Sequence, residues 1–304
     1  MAATRVLVLG VTGMLGHVIY SRLLKSGVLD VRGAARAPRS MVVRSFGQEA
    51  MERISCGVEA MHDDSLTRTL ASVKPDVVVN CVGLIKQSLQ AADPMLAISL
   101  NSLLPQRLLL HCRASGARLI HISTDCVFSG SKGNYKEDDF SDAGDLYGRT
   151  KYLGETSGQG GVTLRTSIIG HELGTTSGLL EWFLSQQGQV LGYTKAVFSG
   201  FPTVELADVI QEHIIPNSSL CGVYNVASEP ISKYDLIGLM AKEYGNQVDI
   251  KPDDKVREDR SLDGARFTEK TGYKPPDWAE LVRKMRNHYL AEDIYMYKRS
   301  EDKR

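Results

Sequence analysis

The residue pair best suited to acid–base chemistry is Tyr147 and Lys151, which are four positions apart in a segment with helical potential. Residues at i and i+4 share one face of a helix. On that face, the lysine charge would lower the tyrosine pKa, and the tyrosine could pass a proton to a substrate oxygen. The spacing also arises by chance in exposed helices of a chain with 12 tyrosines, so the pair needs supporting residues.

Supporting hydroxyl groups occur upstream, where Ile122-Ser123-Thr124-Asp125 closes a predicted strand. Ligands of doubly wound sheets bind at the carboxyl ends of strands. Thr124, with Ser123 as the alternative, could therefore place its hydroxyl near the same substrate oxygen. A plain turn is the competing interpretation, because Ser, Thr and Asp all favour turns.

A glycine-rich loop lies between the first predicted strand and the first predicted helix, with the sequence Gly10-Val-Thr-Gly13-Met-Leu-Gly16. Glycines allow a sharp turn and close approach to a pyrophosphate, which the helix N-terminus attracts. The position of the loop favours a dinucleotide site over a tight turn without a ligand. The predicted cofactor-binding residues here are Gly10, Thr12, Gly13, Met14, Leu15 and Gly16.

The end of the second predicted strand indicates which dinucleotide binds. An acidic residue at this point would bind the ribose 2′-hydroxyl of NAD, whereas an arginine can accommodate the 2′-phosphate of NADP. The segment Val31-Arg-Gly-Ala-Ala-Arg36 contains no acid, and Arg36 is the predicted phosphate partner, with Arg39 as an assistant. These arginines could instead be solvated loop residues. The sequence thus favours NADP, in its reduced form NADPH.

The elements that must position these groups alternate along the chain. Short apolar strands are predicted at residues 5–9, 30–36, 56–61, 77–83, 118–125 and 162–169. Helices are predicted at 15–24, from Asp64, and from Asp93 to about Ser115. Continuous apolar strands separated by helices indicate a parallel sheet covered on both faces. We therefore predict an α/β doubly wound parallel sheet, the Rossmann architecture, with a smaller C-terminal substrate lobe.

The C-terminal third has a looser pattern. Helices are predicted at 179–185, from Val204, at 232–244 and after Asp277, with strands near Val190 and Val197 and at 222–227. Residues 257–273 are polar. We predict an NADP-binding domain at 1–170, a mixed segment at 171–290 that forms the substrate lobe and completes the sheet, and a charged tail at 291–304.

The composition excludes several classes of protein. The 36 basic and 36 acidic residues balance, which gives no basic excess for a nucleic-acid or membrane partner. The N-terminus lacks a signal-peptide pattern, and the apolar runs are too short to cross a bilayer. The five cysteines form no Cys-x-x-Cys pair, which suggests reduced thiols and no cysteine metal site. We expect a cytoplasmic protein; the sequence indicates no metal ligands and leaves a metal requirement open.

Taken together, the motifs resemble the extended short-chain dehydrogenase/reductase family. The matching segments are the glycine loop, Asn80-Cys-Val-Gly83, Ser123-Thr-Asp-Cys-Val-Phe-Ser-Gly130 and Tyr147-Gly-Arg-Thr-Lys-Tyr-Leu-Gly-Glu155. Within that family, the pattern with Tyr135 and Glu137 between the last two segments is similar to the dTDP-4-dehydrorhamnose reductase group. The resemblance covers about residues 4–290 and is strong to about residue 170.

The resemblance implies a reaction and a set of roles. NADPH would reduce the 4-keto group of a nucleotide-diphospho-6-deoxyhexose, with Tyr147 as the acid, Lys151 as its electrostatic partner and ribose anchor, and Thr124 as the orienting hydroxyl. Further cofactor contacts would come from Cys81, Val82, Gly83, Thr166 and Ile168. Our candidate substrate contacts, for which ordinary surface or core packing is an equal alternative, are Lys86, Ser123, Phe128, Phe201 and Arg260. Family members often pair through helices, which makes a homodimer a possible assembly.

Some positions depart from the rhamnose pattern. Cys126 stands where tyrosine is usual, and Met14 stands where glutamine is common. The segments Gly83-Leu-Ile-Lys-Gln87 and Phe198-Ser-Gly-Phe-Pro202 resemble reductases that act on other sugar nucleotides. The sequence therefore supports a 4-keto reductase better than it supports a rhamnose enzyme.

Two other functions stay open. An epimerase or dehydratase of the same superfamily keeps NAD bound, but a dehydratase would often carry a glutamate where Cys126 follows Thr124 and Asp125. Arg36 also favours NADP and net reduction. The second alternative is a non-catalytic NADP-binding regulatory subunit, a class that includes the β subunit of methionine adenosyltransferase. Intact Thr124, Tyr147 and Lys151 count against lost activity but leave a regulatory role open.

Overall fold

The computed structural model describes residues 3–86, 92–174 and 176–296. Its strands are β1 Arg5–Leu9, β2 Asp30–Ala35, β3 Ile54–Cys56, β4 Val77–Asn80, β5 Arg118–Ile122, β6 Gly161–Arg165, β7 Ile168–Ile169, β8 Gln189–Phe198, β9 Phe201–Pro202, β10 Gly222–Asn225, β11 Ile231–Ser232 and β12 Asp249–Asp259. Seven of them form a parallel sheet in the order β10-β6-β5-β4-β1-β2-β3. Two smaller sheets have the orders β11-β8-β12 and β7-β9.

Helices connect these strands. They are α1 Gly16–Lys25, α2 Arg39–Met51, α3 Asp63–Val73, α4 Pro94–Ala97, α5 Leu104–Ser115, α6 Leu146–Leu153, α7 Leu179–Leu184, α8 Thr203–Val209, α9 Lys233–Tyr244, α10 Ala265–Thr271 and α11 Trp278–Ala291. The turns at Ile98–Leu103 are of the wider π type and join α4 to α5. The predicted helix from Asp93 to Ser115 therefore exists, but its middle is underwound.

β1 carries apolar residues on both of its sides, which explains why helices cover both faces of the large sheet. Val6 and Val8 belong to one buried cluster with α1, α8 and α11, while Leu7 and Leu9 belong to a second cluster with α3 and α5. Successive side chains of a strand point to opposite faces, so a strand that is apolar throughout needs cover on both. The predicted doubly wound α/β architecture is confirmed.

The strand order places a crevice where the candidate site was expected. β1 lies between β4 and β2, so the chain winds outward in opposite directions on either side of the β4–β1 pair. The connections that leave β1 and β4 therefore diverge at their carboxyl ends, which is where ligands bind in open α/β sheets. Gly10 follows β1, and Cys81 follows β4.

The strands of the structure differ from the predicted strands in two places. The strand predicted at 56–61 shares only Cys56 with β3, because Gly57 adopts a φ of +70° and turns the chain. The polar stretch at 249–259 was not predicted as a strand, yet it forms β12 and pairs in parallel with β8. β12 is an edge strand with mostly exposed residues. Its sequence therefore lacks the apolar alternation that marks a half-buried strand, and charged residues are common on edges.

The C-terminal part of the chain is built into the same body. Ile19 of α1, Leu206 of α8 and Leu281 of α11 share one buried cluster, so residues on both sides of position 170 contribute to one core. The proposed domain boundary stays a prediction. The segment predicted as a tail, 291–304, begins in α11 and continues into packed residues, since Tyr295 is 1% exposed. Residues 297–304 lie outside the described part.

Gly154 provides a test of the packing that holds α6 in place. A Cβ atom at this position would lie 1.8 Å from the backbone oxygen of Asn101 in the π-type turns. Overpacking of this kind costs about 1–3 kcal/mol, so we expect Gly154→Ala to lower the free energy of unfolding by that amount in urea titrations. Gly144→Ala is the control, because nothing lies within 4 Å of its Cβ. Equal unfolding midpoints for the two variants would contradict this packing.

Candidate active site

The glycine loop is shaped by one close backbone contact. Gly10 has a φ of +82°, and its N–H donates to the carbonyl of Ala34 at 2.9 Å. A Cβ on Gly16 would lie 2.1 Å from the Gly10 oxygen, so α1 can begin against the loop only with glycine there. Leu15, the residue before α1, makes no side-chain cap. The first N–H groups of the helix are thus not capped by that side chain, which fits the binding of a diphosphate.

The segment after β4 borders the same loop. A Cβ on Gly10 would lie 3.1 Å from Val82 and 3.2 Å from the backbone of Cys81. A Cβ on Gly83 would lie 3.8 Å from Nζ of Lys151. The predicted cofactor residues Cys81, Val82 and Gly83 therefore run from the glycine loop to the lysine of the candidate catalytic pair.

Lys151 is buried beneath the carboxyl end of β5. Its Nζ donates to the carbonyl of Ile122 at 2.7 Å. Burial lowers the pKa of Lys151 to about 8, with Glu155 and Cys81 acting in the opposite direction. The helix that carries Lys151 is capped by Asp145, whose carboxylate accepts the Gly148 N–H at 2.8 Å. This ammonium is therefore held in position, but the burial of its charge costs a large desolvation free energy.

Tyr147 lies beside the Thr124 hydroxyl. Burial raises the pKa of Tyr147, Cys126 adds to the rise, and the nearby Thr124 hydroxyl opposes it. The Thr124 hydroxyl also donates to Asp125 at 3.1 Å and accepts the Cys126 N–H at 3.1 Å. We expected Lys151 to lower the tyrosine pKa, but burial dominates and the pKa is raised. The hydroxyl stays protonated at neutral pH, which is the form that a proton donor needs.

Ser123, the alternative hydroxyl, faces a different environment. It donates to the carboxylate of Glu155 at 2.8 Å, and both oxygens of Glu155 accept hydrogen bonds from Arg165 at 2.7 Å. This buried ion pair joins the residue after α6 to β6. Ser123 therefore belongs to a buried hydrogen-bond network beneath the site. The hydroxyl that lies next to Tyr147 is that of Thr124.

Two predicted substrate contacts are packed inside the protein. Phe128 is 0% exposed and its ring stacks on Tyr135 with centroids 4.2 Å apart. Phe201, also 0% exposed, lies in β9 and packs near Tyr273. Because protein atoms cover both rings, a substrate has no access to either in this conformation. Core packing, which the sequence left as an equal alternative, is the role seen for them.

The charged residues predicted for the site lie around its rim. Lys86 pairs with Asp145 at 2.8 Å, and both side chains are partly exposed. Arg260 donates to the Phe128 carbonyl at 2.8 Å and contacts the Cys126 sulfur at 3.8 Å. Burial raises the pKa of Asp125, and the charge of Arg260 opposes this rise. Position 87, part of the segment that resembles other sugar-nucleotide reductases, lies outside the described residues.

The remaining predicted cofactor residues differ in how far they are buried. Arg36 is exposed directly after β2, and Arg39 is exposed at the start of α2. Thr166 is buried and its hydroxyl donates to the Ser167 carbonyl at 3.2 Å, while Ile168 is partly buried in β7. Thr12 and Gly13 are exposed on the glycine loop.

Asn101 is a site residue that the sequence analysis missed. Its Oδ1 accepts the Leu84 N–H at 2.8 Å, and this oxygen would lie 3.3 Å from a Cβ on Gly83. Asn101 belongs to the π-type turns, which frequently occur at functional sites. An asparagine inside an apolar helical segment was the available sign, since this residue is unfavourable in helix interiors. Nothing in the local pattern indicated which contact it makes.

Two further findings concern the described residues only. Within 3–86, 92–174 and 176–296, no group of three or more His, Cys, Asp or Glu side chains is arranged to hold a metal ion. In the same ranges, no helix combines the length and apolar character needed to span a bilayer.

The crevice at the β1–β4 switch point, the glycine loop and the adjacent Thr124, Tyr147 and Lys151 define a protein of the short-chain dehydrogenase/reductase type. Within this class, the chain belongs to the RmlD substrate-binding-domain family, whose family model matches residues 4–291.

Comparisons with individual proteins agree with membership of this family. The chain is 35% identical to a dTDP-4-dehydrorhamnose reductase of Streptomyces griseus over 153 residues, which are 50% of this chain and 43% of that protein. It is 25% identical over 261 residues to methionine adenosyltransferase 2 subunit beta of Xenopus laevis, covering 79% and 72% of the two chains. The crystal structure of a dTDP-4-dehydrorhamnose reductase from Bacillus anthracis in complex with NADP superposes with a TM-score of 0.77 at 16% identity, covering 94% and 100%. At that identity, the likeness concerns the fold.

The lowered pKa of Lys151 predicts a specific pH dependence of stability. Between about 8 and the ordinary value of 10.5, the unfolded chain holds a proton at Lys151 that the folded chain has released. The free energy of unfolding of the wild type, minus that of Lys151→Met, should therefore rise with pH across this window. The rise should be up to about 3 kcal/mol. Urea unfolding at several pH values measures this difference. Lys242→Met, at an exposed lysine of α9, should show no such trend; a flat difference for Lys151→Met would contradict the burial of its ammonium.

Proposed function

We propose that this chain is a cytoplasmic NADPH-dependent reductase that acts on the 4-keto group of a nucleotide-diphospho-6-deoxyhexose. The observation that carries the proposal is the placement of Thr124, Tyr147 and buried Lys151 at the carboxyl end of β5, next to the glycine loop. The family membership supports the same reaction class. The identity of the base and of the sugar is left to experiment, and a homodimer stays a prediction.

The residues around the crevice suit a nicotinamide dinucleotide. The uncapped start of α1 and the close turn at Gly10 would hold the diphosphate. Arg36, exposed after β2, would pair with the 2′-phosphate, which is the basis for NADPH rather than NADH. An ammonium has three donors; one donor of Lys151 binds the Ile122 carbonyl, which leaves donors for a ribose hydroxyl.

The protein's part in the reaction is to supply and orient a proton. When bound, NADPH supplies the hydride that adds to the keto carbon. Tyr147 donates its phenolic proton to the carbonyl oxygen, and its raised pKa keeps that proton in place until charge develops on the oxygen. Thr124 orients this hydroxyl from the neighbouring strand end. The buried positive charge of Lys151 stabilises the tyrosinate that remains.

A cavity in the C-terminal part is our candidate for the nucleotide portion of the substrate. It has a volume of about 560 Å³ and is lined by Trp182, Tyr193 and Lys233, among others. This volume is in the range of small-molecule sites. Burial raises the pKa of Asp125, and the charge of Lys233 is among those that oppose the rise, so Lys233 lies within electrostatic range of the residue after Thr124. Aromatic rings can pack against a base, and the lysine can pair with a phosphate.

A regulatory subunit is the second candidate function. It is favoured by the similarity to methionine adenosyltransferase 2 subunit beta, which extends over 79% of this chain. Such a protein would bind NADP without turning over a keto sugar. A dehydratase is less well supported, because Asp125 is followed by Cys126, whose pKa burial raises to about 12, and not by a carboxylate.

The decisive measurement is the oxidation of NADPH, followed by its absorbance, with a panel of dTDP-, UDP- and GDP-4-keto-6-deoxysugars. We expect turnover with one nucleotide class and a loss of at least about a hundredfold in Tyr147→Phe, because the proton donor is removed. Tyr152→Phe, one turn away on the same helix and 45% exposed, is the matched control and should keep full activity. NADPH binding without reduction of any panel member would overturn the reductase and favour the regulatory subunit.

Arg36 allows a separate test of the cofactor preference. Losing a charge-assisted contact with the 2′-phosphate should raise the Kd for NADPH by roughly tenfold or more in Arg36→Ala. The Kd for NADH, which lacks this phosphate, should change little. Both constants can be measured by cofactor fluorescence. Arg44→Ala, at another exposed arginine of α2, is the control. The assignment of NADPH is wrong if wild type already binds NADH as tightly.

A further inference from the structure

The C-terminal segment Glu292–Met296 returns to the N-terminal half of the fold. Tyr295 is 1% exposed, and its hydroxyl lies 2.6 Å from Nε2 of His17 in α1. The two rings also make an edge contact, with centroids 5.5 Å apart. Nearby, Glu292 pairs with Lys25 at 2.6 Å. The segment is thus attached to α1 by a hydrogen bond, a ring contact and an ion pair.

His17 connects this segment to the glycine loop. Its Nδ1 lies 2.8 Å from the backbone oxygen of Gly13. A carbonyl oxygen can only accept, so Nδ1 carries the hydrogen. In the neutral ring, Nε2 is then the acceptor, and the Tyr295 hydroxyl donates to it. Tyr295 therefore favours the tautomer of His17 that can hold the Gly13 carbonyl.

Two hydrogen bonds orient the peptide group between Gly13 and Met14, because the Gly13 carbonyl accepts the His17 backbone N–H at 3.1 Å as well as the ring N–H. The C=O and N–H groups of a planar trans peptide point in opposite directions, and the described backbone contains no cis peptide bond. His17 is 0% exposed, so its ring bond to the Gly13 carbonyl is shielded from water and adds to the backbone bond on the same oxygen. The N–H of Met14, on the other side of the same peptide, must then point outward at the N-terminus of the helix. That is the direction from which a diphosphate would approach.

We propose that His17 and Tyr295 are positioning residues for the cofactor: they hold the Gly13–Met14 peptide so that its N–H meets the dinucleotide diphosphate. The C-terminal segment is thereby part of the cofactor-binding machinery. This inference rests on the proposed function, because it requires that a dinucleotide binds at the glycine loop. A role in packing alone would affect the stability of the fold and not a particular part of the ligand.

The first experiment compares two ligands in Tyr295→Phe, which removes the hydroxyl and keeps the ring. NADPH contains the diphosphate, whereas adenosine 2′-monophosphate contains the 2′-phosphate and lacks the diphosphate. We expect the Kd for NADPH to rise about three- to tenfold, the effect of one hydrogen bond. The Kd for adenosine 2′-monophosphate should stay at the wild-type value. Tyr273→Phe is the matched control, because it removes a similar tyrosine hydrogen bond, from Tyr273 to Glu205 at 2.7 Å.

A second pair of variants tests the histidine itself. The amide nitrogen of an asparagine reaches the position of the histidine Nδ1, so His17→Asn can still donate to the Gly13 carbonyl. His17→Leu cannot. We expect His17→Asn to bind NADPH within about threefold of wild type and His17→Leu to bind it at least about tenfold more weakly. Adding Tyr295→Phe to His17→Asn should change little, since the asparagine needs no tautomer.

The outcomes separate the two proposals. Wild-type protein that binds neither NADPH nor NADH would refute the cofactor site, and this inference with it. Wild-type protein that binds NADPH, with Tyr295→Phe weakening both ligands equally or neither, would leave the cofactor site standing and overturn the positioning role. Equal losses of NADPH affinity in Tyr273→Phe and Tyr295→Phe would overturn it as well.

Discussion

The burial of the Lys151 ammonium against the Ile122 carbonyl is the constraint on which the rest of the site depends. A cation can be held under the sheet only if its helix lies close to the end of β5. Two glycines permit this, because a Cβ on Gly148 would lie 2.1 Å from the Cys126 oxygen, and one on Gly154 would strike the Asn101 backbone. The residue types along α6 are therefore explained by the close approach of the helix as much as by the chemistry.

The same burial acts on both members of the proposed catalytic pair. It lowers the pKa of Lys151 and raises that of Tyr147, since low polarity disfavours the charged form of each. In the protein alone, the phenol of Tyr147 is therefore protonated and has a proton to donate. In the proposed reaction, the charge of Lys151 would stabilise the tyrosinate that remains when the proton leaves, because a buried anion needs a nearby cation. Ser123, Glu155 and Arg165 keep the underlying strands in place through a buried ion pair.

Much of the fold and part of the site could be predicted from the sequence. The apolar strands, the glycine loop and the Tyr147–Lys151 spacing are local patterns, and each corresponds to one element or turn. The β12 strand escaped prediction, because an exposed edge strand carries no apolar alternation. Phe128 was expected at the substrate, but stacking on Tyr135 places it in the interior. Whether a residue near the end of a strand faces the substrate site or the interior depends on contacts with residues that are distant in the sequence.

The sequence by itself determined the doubly wound architecture, and it pointed to the glycine loop and the proposed acid–base pair, because these follow from periodicity and short spacings. Tertiary structure alone decided which hydroxyl faces Tyr147, in which direction burial moves the pKa values, and that Asn101 reaches the site through a widened helical turn. It also decided that Tyr295 contacts His17, 278 positions away. Desolvation and long-range contacts arise only when distant segments pack together, and no local pattern encodes their geometry.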